Sequence, residues 1–484
     1  MLNGGKEMVT EAKLSLINEQ QIKRIHETAI EMLDRFGIEI GDKSVREMML
    51  EHGCKLIHND RVQISHELID AMLKSNKQKV VFKSLFDREL VVETGRHYTH
   101  TFGGAAAIID LDGNYRKPTG DDLVDAYRLN DYLDNIDMAC ALVYPSDLDS
   151  RLTQYLEVAL PLLSSLKPVD GPGVSDPGSA KYIALLCDTI TNGDISAPRP
   201  FMINISPQSP FIWPKDETDC LSYIIKSGIP TTLLAAPMAG MSSPLSVIGC
   251  VTQCHAEILA YGVLYYLLNP ETPRIYASRC FFPNMRTCKL SIGLPENAVA
   301  SAITAQLAVY CGFLSDINGG YTTGCATDAQ IGYEKMLNCL LPLMAGATMI
   351  TGAGSLGGGT VYSPVQHVID DEIFGRIMRV LKPREINSDA FGFDALEDVI
   401  IGGYTFLEQP HTVDYLKSGE LFAPTVSYND SWVEWKLDNM PDIREVAAQR
   451  ARDIMAKHEK PEPDANLVKE IGAITASAKK ELLS

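Results

Sequence analysis

Positive charge is scarce in this sequence. Its 484 residues include 43 Lys and Arg against 62 Asp and Glu, which gives a formal net charge of −19 at pH 7. Proteins that bind nucleic acid or anionic lipid need Lys and Arg to neutralise phosphate groups. The composition therefore predicts that neither nucleic acid nor a membrane surface is a partner.

Charge of either sign is missing from two long stretches, residues 227–256 and 336–369. A membrane-spanning helix needs about 20 predominantly apolar residues. However, Pro230, Pro237 and Pro244 interrupt the first stretch, and glycines interrupt the second. Buried strands of a parallel sheet also read as continuous apolar runs. Since the N-terminus lacks the apolar core of a signal peptide, we expect a soluble, cytoplasmic protein.

Motifs for nucleotide binding, serine activation and metal binding are few. The sequence has no Walker phosphate loop and no Gly-x-Ser-x-Gly elbow. The pairs with metal-ligand spacing are Cys250 with Cys254 and His255, and His97 with His100. The two cysteines lie on an apolar helix and are interpreted as core residues, and nothing in the sequence supplies the third convergent ligand that a catalytic zinc usually needs. We therefore predict no metal site.

Helical and strand patterns alternate from about residue 120 onward. This alternation is typical of parallel βα units, and it predicts a (β/α)8 barrel of the TIM type, with a doubly wound open sheet as the alternative. An eighth strand is less evident, and residues 386–393 are the candidate. The seven other candidates are residues 136–144, 168–171, 201–205, 231–236, 274–278, 314–318 and 348–352.

Both ends of the chain differ from this α/β pattern. Residues 1–118 begin with a helical pattern at 17–36 and continue with strands and an Asp-Gly hairpin turn. We therefore predict a helical and β extension at 1–118 that packs on the barrel, the barrel itself at 119–430, and C-terminal helices at 431–484.

One glycine-rich loop suggests a different function. Gly352, Gly354 and Gly357 match the spacing of the dinucleotide fingerprint and follow a predicted strand. In that fingerprint a helix should begin at the third glycine, so that its N-terminus meets the pyrophosphate. Here the next helix is predicted to begin only at Ser363, an N-cap residue. An NAD(P)-dependent oxidoreductase is therefore the alternative function.

Aromatic residues cluster at the predicted ends of the strands. They are Phe102, Phe282, Tyr321 and Tyr362. In a barrel, the carboxyl ends of the strands form the active face. Aromatic rings at that face suit a ligand with a bulky cation, which is attracted to the ring faces. Each ring taken alone is equally compatible with ordinary loop packing.

Several longer motifs resemble one known family. The chain reads Asp-Ile-Asn-Gly-Gly-Tyr at 316–321, Ala-Gly-Ala at 345–347, Gly-Ala-Gly at 352–354 and Gln-x-Val-Ile-Asp-x-Glu-Ile at 366–373. These motifs, together with Thr-Phe-Gly-Gly at 101–104, resemble the trimethylamine methyltransferase family over residues 20–480. The resemblance implies an α/β barrel that passes a methyl group from an amine to the cobalt of a separate corrinoid protein.

One departure from the family pattern concerns the substrate. The trimethylamine enzymes carry pyrrolysine, whereas this sequence has only standard residues. It therefore resembles the non-pyrrolysine branch, which implies quaternary amines such as glycine betaine, proline betaine or carnitine. A quaternary ammonium leaves as a neutral tertiary amine, so an attacking cobalt(I) needs no general acid. We expect the four rings to surround the N-methyl groups and Arg279 or His367 to meet a carboxylate.

The corrinoid itself is expected to arrive on a partner. The chain lacks Asp-x-His-x-x-Gly, a pattern that resembles the cobalt-ligand loop of corrinoid domains, so we expect it to bind no cofactor alone. Gly319, Gly320, Gly357, Gly358 and Gly359 are predicted to border the opening through which the corrinoid approaches. The alternative is that these glycines only allow tight turns. We also expect a homo-oligomer.

Overall fold

The computed structural model describes residues 8–9, 11–58, 60–459 and 462–484. Its strands are β1 (Met8–Val9), β2 (Ile38–Ile40), β3 (Lys55–Ile57), β4 (Arg61–Gln63), β5 (Lys79–Lys83), β6 (Glu89–Glu93), β7 (Tyr98–Thr101), β8 (Ala107–Ile109), β9 (Tyr115–Arg116), β10 (Val169–Gly173), β11 (Phe201–Ile205), β12 (Ile212–Trp213), β13 (Thr231–Ala235), β14 (Arg274–Ser278), β15 (Pro283–Asn284), β16 (Lys289–Leu290), β17 (Leu314–Asn318), β18 (Met349–Ala353), β19 (Ser355–Leu356), β20 (Val361–Tyr362) and β21 (Glu385–Ile386). Its α-helices are α1 (Glu19–Phe36), α2 (Lys43–Glu51), α3 (His66–Lys74), α4 (Gly120–Asp131), α5 (Ser150–Leu162), α6 (Pro177–Thr191), α7 (Lys215–Lys226), α8 (Val247–Leu268), α9 (Pro295–Tyr310), α10 (Ala329–Met344), α11 (Pro364–Leu381), α12 (Phe393–Ile400), α13 (Pro410–Lys417), α14 (Trp432–Leu437), α15 (Ile443–Lys457) and α16 (Ala465–Leu482).

Seven parallel strands form the central sheet, in the order β10-β11-β13-β14-β17-β18-β7. The gap between the two outer strands is filled by an extended segment without a continuous ladder. In that segment Met138 pairs with His100 in β7, and Ala139 pairs with Val169 in β10. This segment takes the place of the eighth strand and closes the sheet. The predicted (β/α)8 barrel of the TIM type is therefore confirmed.

The eighth strand is not the one that we predicted. Residues 386–393 do not enter the barrel, because β21 pairs with β1 and the helix α12 begins at Phe393. The barrel is completed by β7, which lies before the predicted boundary at residue 118. Its sequence Tyr-Thr-His-Thr is short and mostly polar, so it lacks the apolar run by which the other strands were recognised. The division of the chain at residues 118 and 430 stays a prediction.

Apolar side chains close the N-terminal end of the barrel. Successive side chains of a strand point to opposite faces, so every second residue of a barrel strand points inward. The hairpin of β5 and β6 covers this layer from outside with Val80, Phe82 and Val92. The inward side chains in the cluster are Tyr98, Met138, Met202, Ile275, Leu314 and Met349. The barrel interior is therefore open only towards its C-terminal end.

The charge-free stretches correspond to core elements. The first covers β13 and the beginning of α8, and the second covers most of α10, β18 and the glycine-rich loop. In the described part of the chain, α8 is the one helix long and apolar enough to cross a membrane, and 83% of its most apolar window is buried inside the protein. That burial is typical of a core helix in the outer layer of a barrel.

Helices from both ends of the chain pack on the barrel. At the N-terminal end α1 packs on α8, and at the C-terminal end α15 packs on α11 while α16 packs on α6. Residues 387–441 form an arm that carries many exposed large apolar side chains. They are Phe391, Phe393, Ile400, Ile401, Tyr404, Phe406, Leu407, Leu416, Leu421, Trp432, Val433, Leu437 and Met440. Apolar surface of this extent is typical of an interface with another protein chain.

Candidate active site inside the barrel

A layer of polar side chains lies directly above the apolar layer. Because inward-facing positions recur every second residue, His100, Asn204 and Asp316 follow Tyr98, Met202 and Leu314 on their strands. All three are buried. Buried polar groups are costly unless they are paired, so this layer must be held together by its own contacts.

Four charged side chains form a continuous chain of ion pairs in this layer. The Nδ1 atom of His100 lies 2.9 Å from Oδ2 of Asp170, and its Nε2 atom lies 2.9 Å from Oδ1 of Asp316. The Nη2 atom of Arg279 lies 2.6 Å from the other oxygen of Asp316. Two basic and two acidic groups thus compensate each other in the buried interior of the barrel.

The pKa values follow from this arrangement. Burial disfavours the charged imidazole of His100, but Asp316 and Asp170 outweigh burial and raise its pKa to about 10. Burial likewise opposes ionisation of Asp316, yet Arg279 and His100 hold the pKa of that carboxyl below its usual value. His100 is therefore an imidazolium at neutral pH and does not act as a general base there.

Neighbouring strands hold the carboxylates in place. The Asn204 amide donates to Oδ1 of Asp170 at 3.1 Å, and the Thr232 hydroxyl donates to the Asn204 carbonyl oxygen at 2.5 Å. The guanidinium of Arg279 also donates from Nη1 to the backbone oxygen of Asp316 at 2.9 Å. Each side chain is fixed by a partner on another strand, so the layer is preorganised.

A cavity of about 280 Å³ opens above this layer at the carboxyl ends of the strands. Its walls include His100, Asp170 and Arg279 from the ion-pair chain, with the bare backbone of Gly103 and Gly104 on one side. Tyr144 and Tyr321 supply aromatic rings, and Gln154 and Asn204 supply amides. The size and this mixture suit a small polar molecule with an apolar part.

Glu157 is the one acidic wall residue outside the ion-pair chain. It lies on α5 with only 4% of its surface exposed, and no described residue forms a hydrogen bond with its buried Oε1 atom. Burial raises the pKa of this carboxyl to about 8. The cavity therefore contains a carboxyl group that lacks a partner, and a cation beside it would favour its ionised form.

Three of the predicted substrate-binding residues come together here. Arg279 and Tyr321 line the cavity, and the ring of Phe102 packs edge-on against Tyr321 at a centroid distance of 6.0 Å. Phe102 is fully buried and supports that ring from behind. Phe282 is also buried in the core after β14, but it does not line the cavity.

Tyr362 and His367 lie outside this cavity, although they were predicted together with the other substrate-binding residues. The Tyr362 hydroxyl is 3.2 Å from Nδ1 of His367, whose Nε2 is 3.2 Å from the Asn130 side-chain oxygen. This contact joins α11 to α4 outside the barrel. Burial, with Lys167 and Lys335 adding to it, lowers the pKa of His367 to about 3. A neutral His367 in this position does not bind the carboxylate of a substrate in the cavity.

The predicted corrinoid opening divides into two groups of glycines. Gly319 and Gly320 are buried, and a Cβ on them would meet Ile350 and the backbone of Gly352. These two serve close packing of strand ends, and their place at a corrinoid opening stays a prediction. Gly358 has a φ of +71° with open space where its Cβ would be, while a Cβ on Gly359 would meet the Tyr321 ring. Gly359 therefore lies against Tyr321, a residue of the cavity wall, and Gly358 faces open space.

The structure also decides against a dinucleotide in the glycine-rich loop. The backbone N–H of Gly354 donates to Oδ2 of Asp370 at 2.7 Å, and the same oxygen lies 2.5 Å from Nζ of Lys335. A carboxylate thus occupies the position that a pyrophosphate would need. As predicted, α11 begins at Pro364 with Ser363 as its N-cap, several residues after Gly357.

The pairs that the sequence suggested as metal ligands have other partners. His97 contacts the Ala347 carbonyl oxygen at 2.8 Å, and His100 belongs to the ion-pair chain. The thiols of Cys250 and Cys254 donate to the carbonyl oxygens of Pro237 and Ala235. Both cysteines are buried in the core.

Sequence reasoning missed Asp170, Asn204 and Glu157. Asp170 follows Val169 in a strand, and Asp316 stands in a strand with Ile317, so each places a carboxyl in a segment predicted to be buried. A carboxyl group in a strand predicted to be buried was therefore a signal that the sequence offered. Glu157 lies on an ordinary helix, and only the tertiary structure shows that its side chain reaches the cavity.

Comparisons with known proteins agree with this architecture. A family model described as trimethylamine methyltransferase matches residues 5–482. The chain is 27% identical to a glycine betaine methyltransferase of Desulfitobacterium hafniense, over 97% of this chain and 98% of that protein. It is also 27% identical to a trimethylamine methyltransferase of Methanosarcina mazei, over 96% and 95%. A crystal structure of the Methanosarcina barkeri monomethylamine methyltransferase has the same fold, with a TM-score of 0.52 and 12% identity over 93% of this chain and 89% of that one.

The ion-pair chain predicts how stability depends on pH. A histidine whose pKa is raised on folding stabilises the folded state fully below its unfolded pKa of about 6.5, and this contribution is lost as pH rises through the folded value of about 10. We expect His100→Gln to lower stability at pH 7 by about 3–5 kcal/mol, because it leaves buried carboxylates uncompensated. The difference in thermal midpoint between wild type and variant should shrink from pH 7 to pH 10.

A surface pair provides the control for this measurement. His66 lies 2.7 Å from Asp34 but is 56% exposed, so His66→Gln should change the midpoint little at any pH. Scanning calorimetry of the three proteins across the pH range gives the comparison. A constant difference between wild type and His100→Gln would show that the imidazole is not charged in the folded state.

Proposed function

Because this chain belongs to the trimethylamine methyltransferase family and is a methyltransferase, we propose that it takes its methyl group from a quaternary amine, a betaine in particular, and passes it to cobalt(I) of a separate corrinoid protein. The observation that carries this proposal is the partnerless, buried Glu157 carboxyl in a cavity that also contains the Tyr321 ring. Both groups attract a cation.

The missing hydrogen bond of Glu157 favours a quaternary ammonium. Such a cation has no N–H to donate, so it is bound by charge and by the faces of aromatic rings. Tyr321 and Tyr144 supply the rings, each contributing about 0.5–2 kcal/mol. The positive charge of this cation stabilises the carboxylate of Glu157 without a hydrogen bond. The ionised form of Glu157 is then favoured over the neutral form.

The carboxylate of a betaine has a partner in Arg279. Its guanidinium donates to Asp316 and to backbone oxygens of residues 278 and 316, and it also lines the cavity. A guanidinium has five N–H donors in a planar fork, so it can bind a further carboxylate beside Asp316. A zwitterion with a cationic and an anionic end thus finds a complementary group for each.

Chemistry supports a quaternary substrate over a neutral tertiary amine. Removing a methyl group from a neutral amine would leave an amide anion, which is a very poor leaving group. A quaternary ammonium leaves as a neutral tertiary amine, and no proton has to move. The protein then contributes by holding the N–CH3 bond towards the opening and by excluding water from the closed end of the barrel.

The corrinoid, when delivered by its partner, supplies the cobalt nucleophile that accepts the methyl group. Its approach is restricted to the C-terminal end, because the apolar layer and the β5–β6 hairpin close the other end. The bare backbone of Gly357–Gly359 beside Tyr321 fits the close approach of a large planar ring. A homo-oligomer stays a prediction, and the exposed arm at residues 387–441 is the surface that a second copy would cover. Location in the cytoplasm also stays a prediction.

Substrate choice tests the central proposal. We expect glycine betaine, proline betaine or carnitine to bind in isothermal titration and to methylate cob(I)alamin, with the product followed by its visible absorption. Trimethylamine lacks both the permanent charge and the carboxylate, so it should bind more weakly by tenfold or more, about 1.4 kcal/mol. Turnover of trimethylamine without turnover of any betaine would refute the quaternary assignment.

The role of Glu157 gives a pH-dependent prediction. A cationic substrate binds best to the ionised carboxylate, so kcat/KM should rise with pH through the free-enzyme pKa of about 8. We expect Glu157→Gln to remove this rise and to weaken betaine binding about tenfold, or about 1.4 kcal/mol, while methyl transfer remains measurable at saturating betaine. The measurement is the pH profile of both proteins with the best betaine.

Glu217 offers a matched control. Burial raises its pKa to about 7 and its Oε2 atom lacks a hydrogen bond to any described residue, but it lies on α7 and does not line the cavity. Glu217→Gln should leave the pH profile unchanged. If Glu157→Gln lost all turnover of a tertiary amine but kept turnover of betaines, Glu157 would instead act as an acid towards the leaving amine.

Approach of the corrinoid protein is tested at Gly358. Gly358→Phe places a ring in the open space beside Gly359, so transfer to the corrinoid protein should slow about tenfold while betaine affinity in titration is retained. A side chain at φ +71° also strains the backbone by about 1–2 kcal/mol. Gly53→Phe carries a comparable strain at φ +94° with open space around it, so it serves as the control. Equal transfer rates in both variants would place the docking surface elsewhere.

A further inference from the structure

Three potential metal ligands from distant parts of the chain meet outside the barrel cavity. His26 lies on α1, His255 lies in the middle of α8, and Cys311 follows the last turn of α9. The Nδ1 atom of His26 is 3.0 Å from Nε2 of His255. The Sγ atom of Cys311 is 3.6 Å from the first nitrogen and 3.9 Å from the second. One nitrogen of each ring and the thiol therefore face a common point.

These distances match a tetrahedral zinc ion. Zinc binds histidine nitrogen at about 2.0–2.1 Å and cysteine sulfur at about 2.3 Å, which at tetrahedral angles separates two nitrogens by about 3.4 Å and a nitrogen from the sulfur by about 3.6 Å. The observed separations differ from these values by only a few tenths of an ångström. Small side-chain rotations are sufficient to accommodate the ion, and the backbone need not move.

A neighbouring residue orients His255 for this role. Its other ring nitrogen, Nδ1, lies 3.2 Å from the hydroxyl of Tyr276 on β14. Histidines that bind metals usually place their second nitrogen against such a partner, which fixes the tautomer and the ring plane. When Nδ1–H donates to Tyr276, the lone pair of Nε2 faces His26 and Cys311.

The protonation states of the three groups are compatible with metal binding. Burial lowers the pKa of His26, and burial followed by repulsion from His26 holds the pKa of His255 well below its usual value. Both rings are therefore neutral at neutral pH, as ligands must be. Burial raises the pKa of the Cys311 thiol to about 12, and the charge of a bound cation reverses this effect.

We propose that His26, His255 and Cys311 bind one zinc ion, which clamps the N-terminal helix α1 onto α8 and α9. Binding replaces the S–H bond of Cys311 with an S–Zn bond and releases one proton to solvent, and the two imidazoles bind through lone pairs. A water molecule completes the tetrahedron on the side of His26, the only half-buried residue of the three. None of the three residues lines the barrel cavity, so the ion has a structural role.

Metal content of the purified full chain tests this directly. Protein prepared with zinc and passed through gel filtration should retain about one zinc per chain by mass spectrometry, and chelation should lower its thermal midpoint. Cobalt(II) in place of zinc should give sulfur-to-cobalt charge transfer in the near ultraviolet and the strong visible bands of a tetrahedral site. Both signals report on the ion without any activity assay.

Variants separate the proposed ligands from the other thiols and imidazoles. His26→Gln and Cys311→Ser should each lose the stoichiometric zinc, and Cys311→Ser should also lose the charge-transfer band. His26 is half-buried, so its variant is expected to fold even where the cysteine variant does not. Cys339→Ala removes a fully buried thiol elsewhere, and Cys288→Ser removes an exposed one, so both should keep the metal.

Two results would overturn the proposal. Wild type that carries no stoichiometric zinc after preparation with excess metal would leave the three residues as a hydrogen-bonded group in the helical layer. Equal zinc content in wild type and in His26→Gln would place the ion at other ligands. Neither result depends on methyl transfer, so the test is independent of the proposed function.

Discussion

The chain of ion pairs from Asp170 through His100 and Asp316 to Arg279 is the constraint on which the barrel interior depends. Two acidic and two basic groups are buried together at the height where other barrels often carry a layer of apolar side chains. Removing any member leaves a charge without compensation, which costs several kcal/mol. The four groups therefore fix one another, and they fix the strands that carry them.

Glu157 differs from the carboxylates of the ion-pair chain in its contacts. Every acidic oxygen in the ion-pair chain already faces His100, Arg279 or Asn204, so none is free to attract a cation from solution. Among the described residues, none forms a hydrogen bond with Oε1 of Glu157, so this carboxyl remains available. Under the proposed function, this carboxyl is the point of the cavity at which the cationic end of the substrate would be held.

Backbone packing limits the site from the other side. Gly320 and Gly352 touch backbone to backbone, with a φ of +128° at Gly352, so neither position accepts a side chain. The buried pair of Lys335 and Asp370 holds the same turn, because Nζ of Lys335 also donates to the Gly352 carbonyl at 3.3 Å. Tyr321 extends from this fixed turn, and its ring is supported by Phe102. The aromatic wall of the cavity is thus as rigid as the strands below it.

The periodicity of the sequence determined the barrel, because seven buried parallel strands leave continuous apolar runs that are visible without any contacts. The N-cap at Ser363 and the end of the first helix at residue 36 were equally local, since caps depend on one or two residues. The strand Tyr98–Thr101 was missed because it is short and has no apolar run, and the partners of its inward-facing His100, Asp170 and Asp316, lie 70 and more residues away.

Aromatic residues near strand ends were visible in the sequence, but which of them share a cavity was not. Tyr321 points into the barrel, whereas Tyr362 belongs to β20 and points towards α4, a difference of direction that residue type does not encode. In the same way, only the packing of α1 against α8 brings His26 to His255, 229 positions apart. The sequence by itself determined the elements and the family, and the tertiary structure alone decided which side chains meet, because side-chain direction depends on how elements from distant parts of the chain pack together.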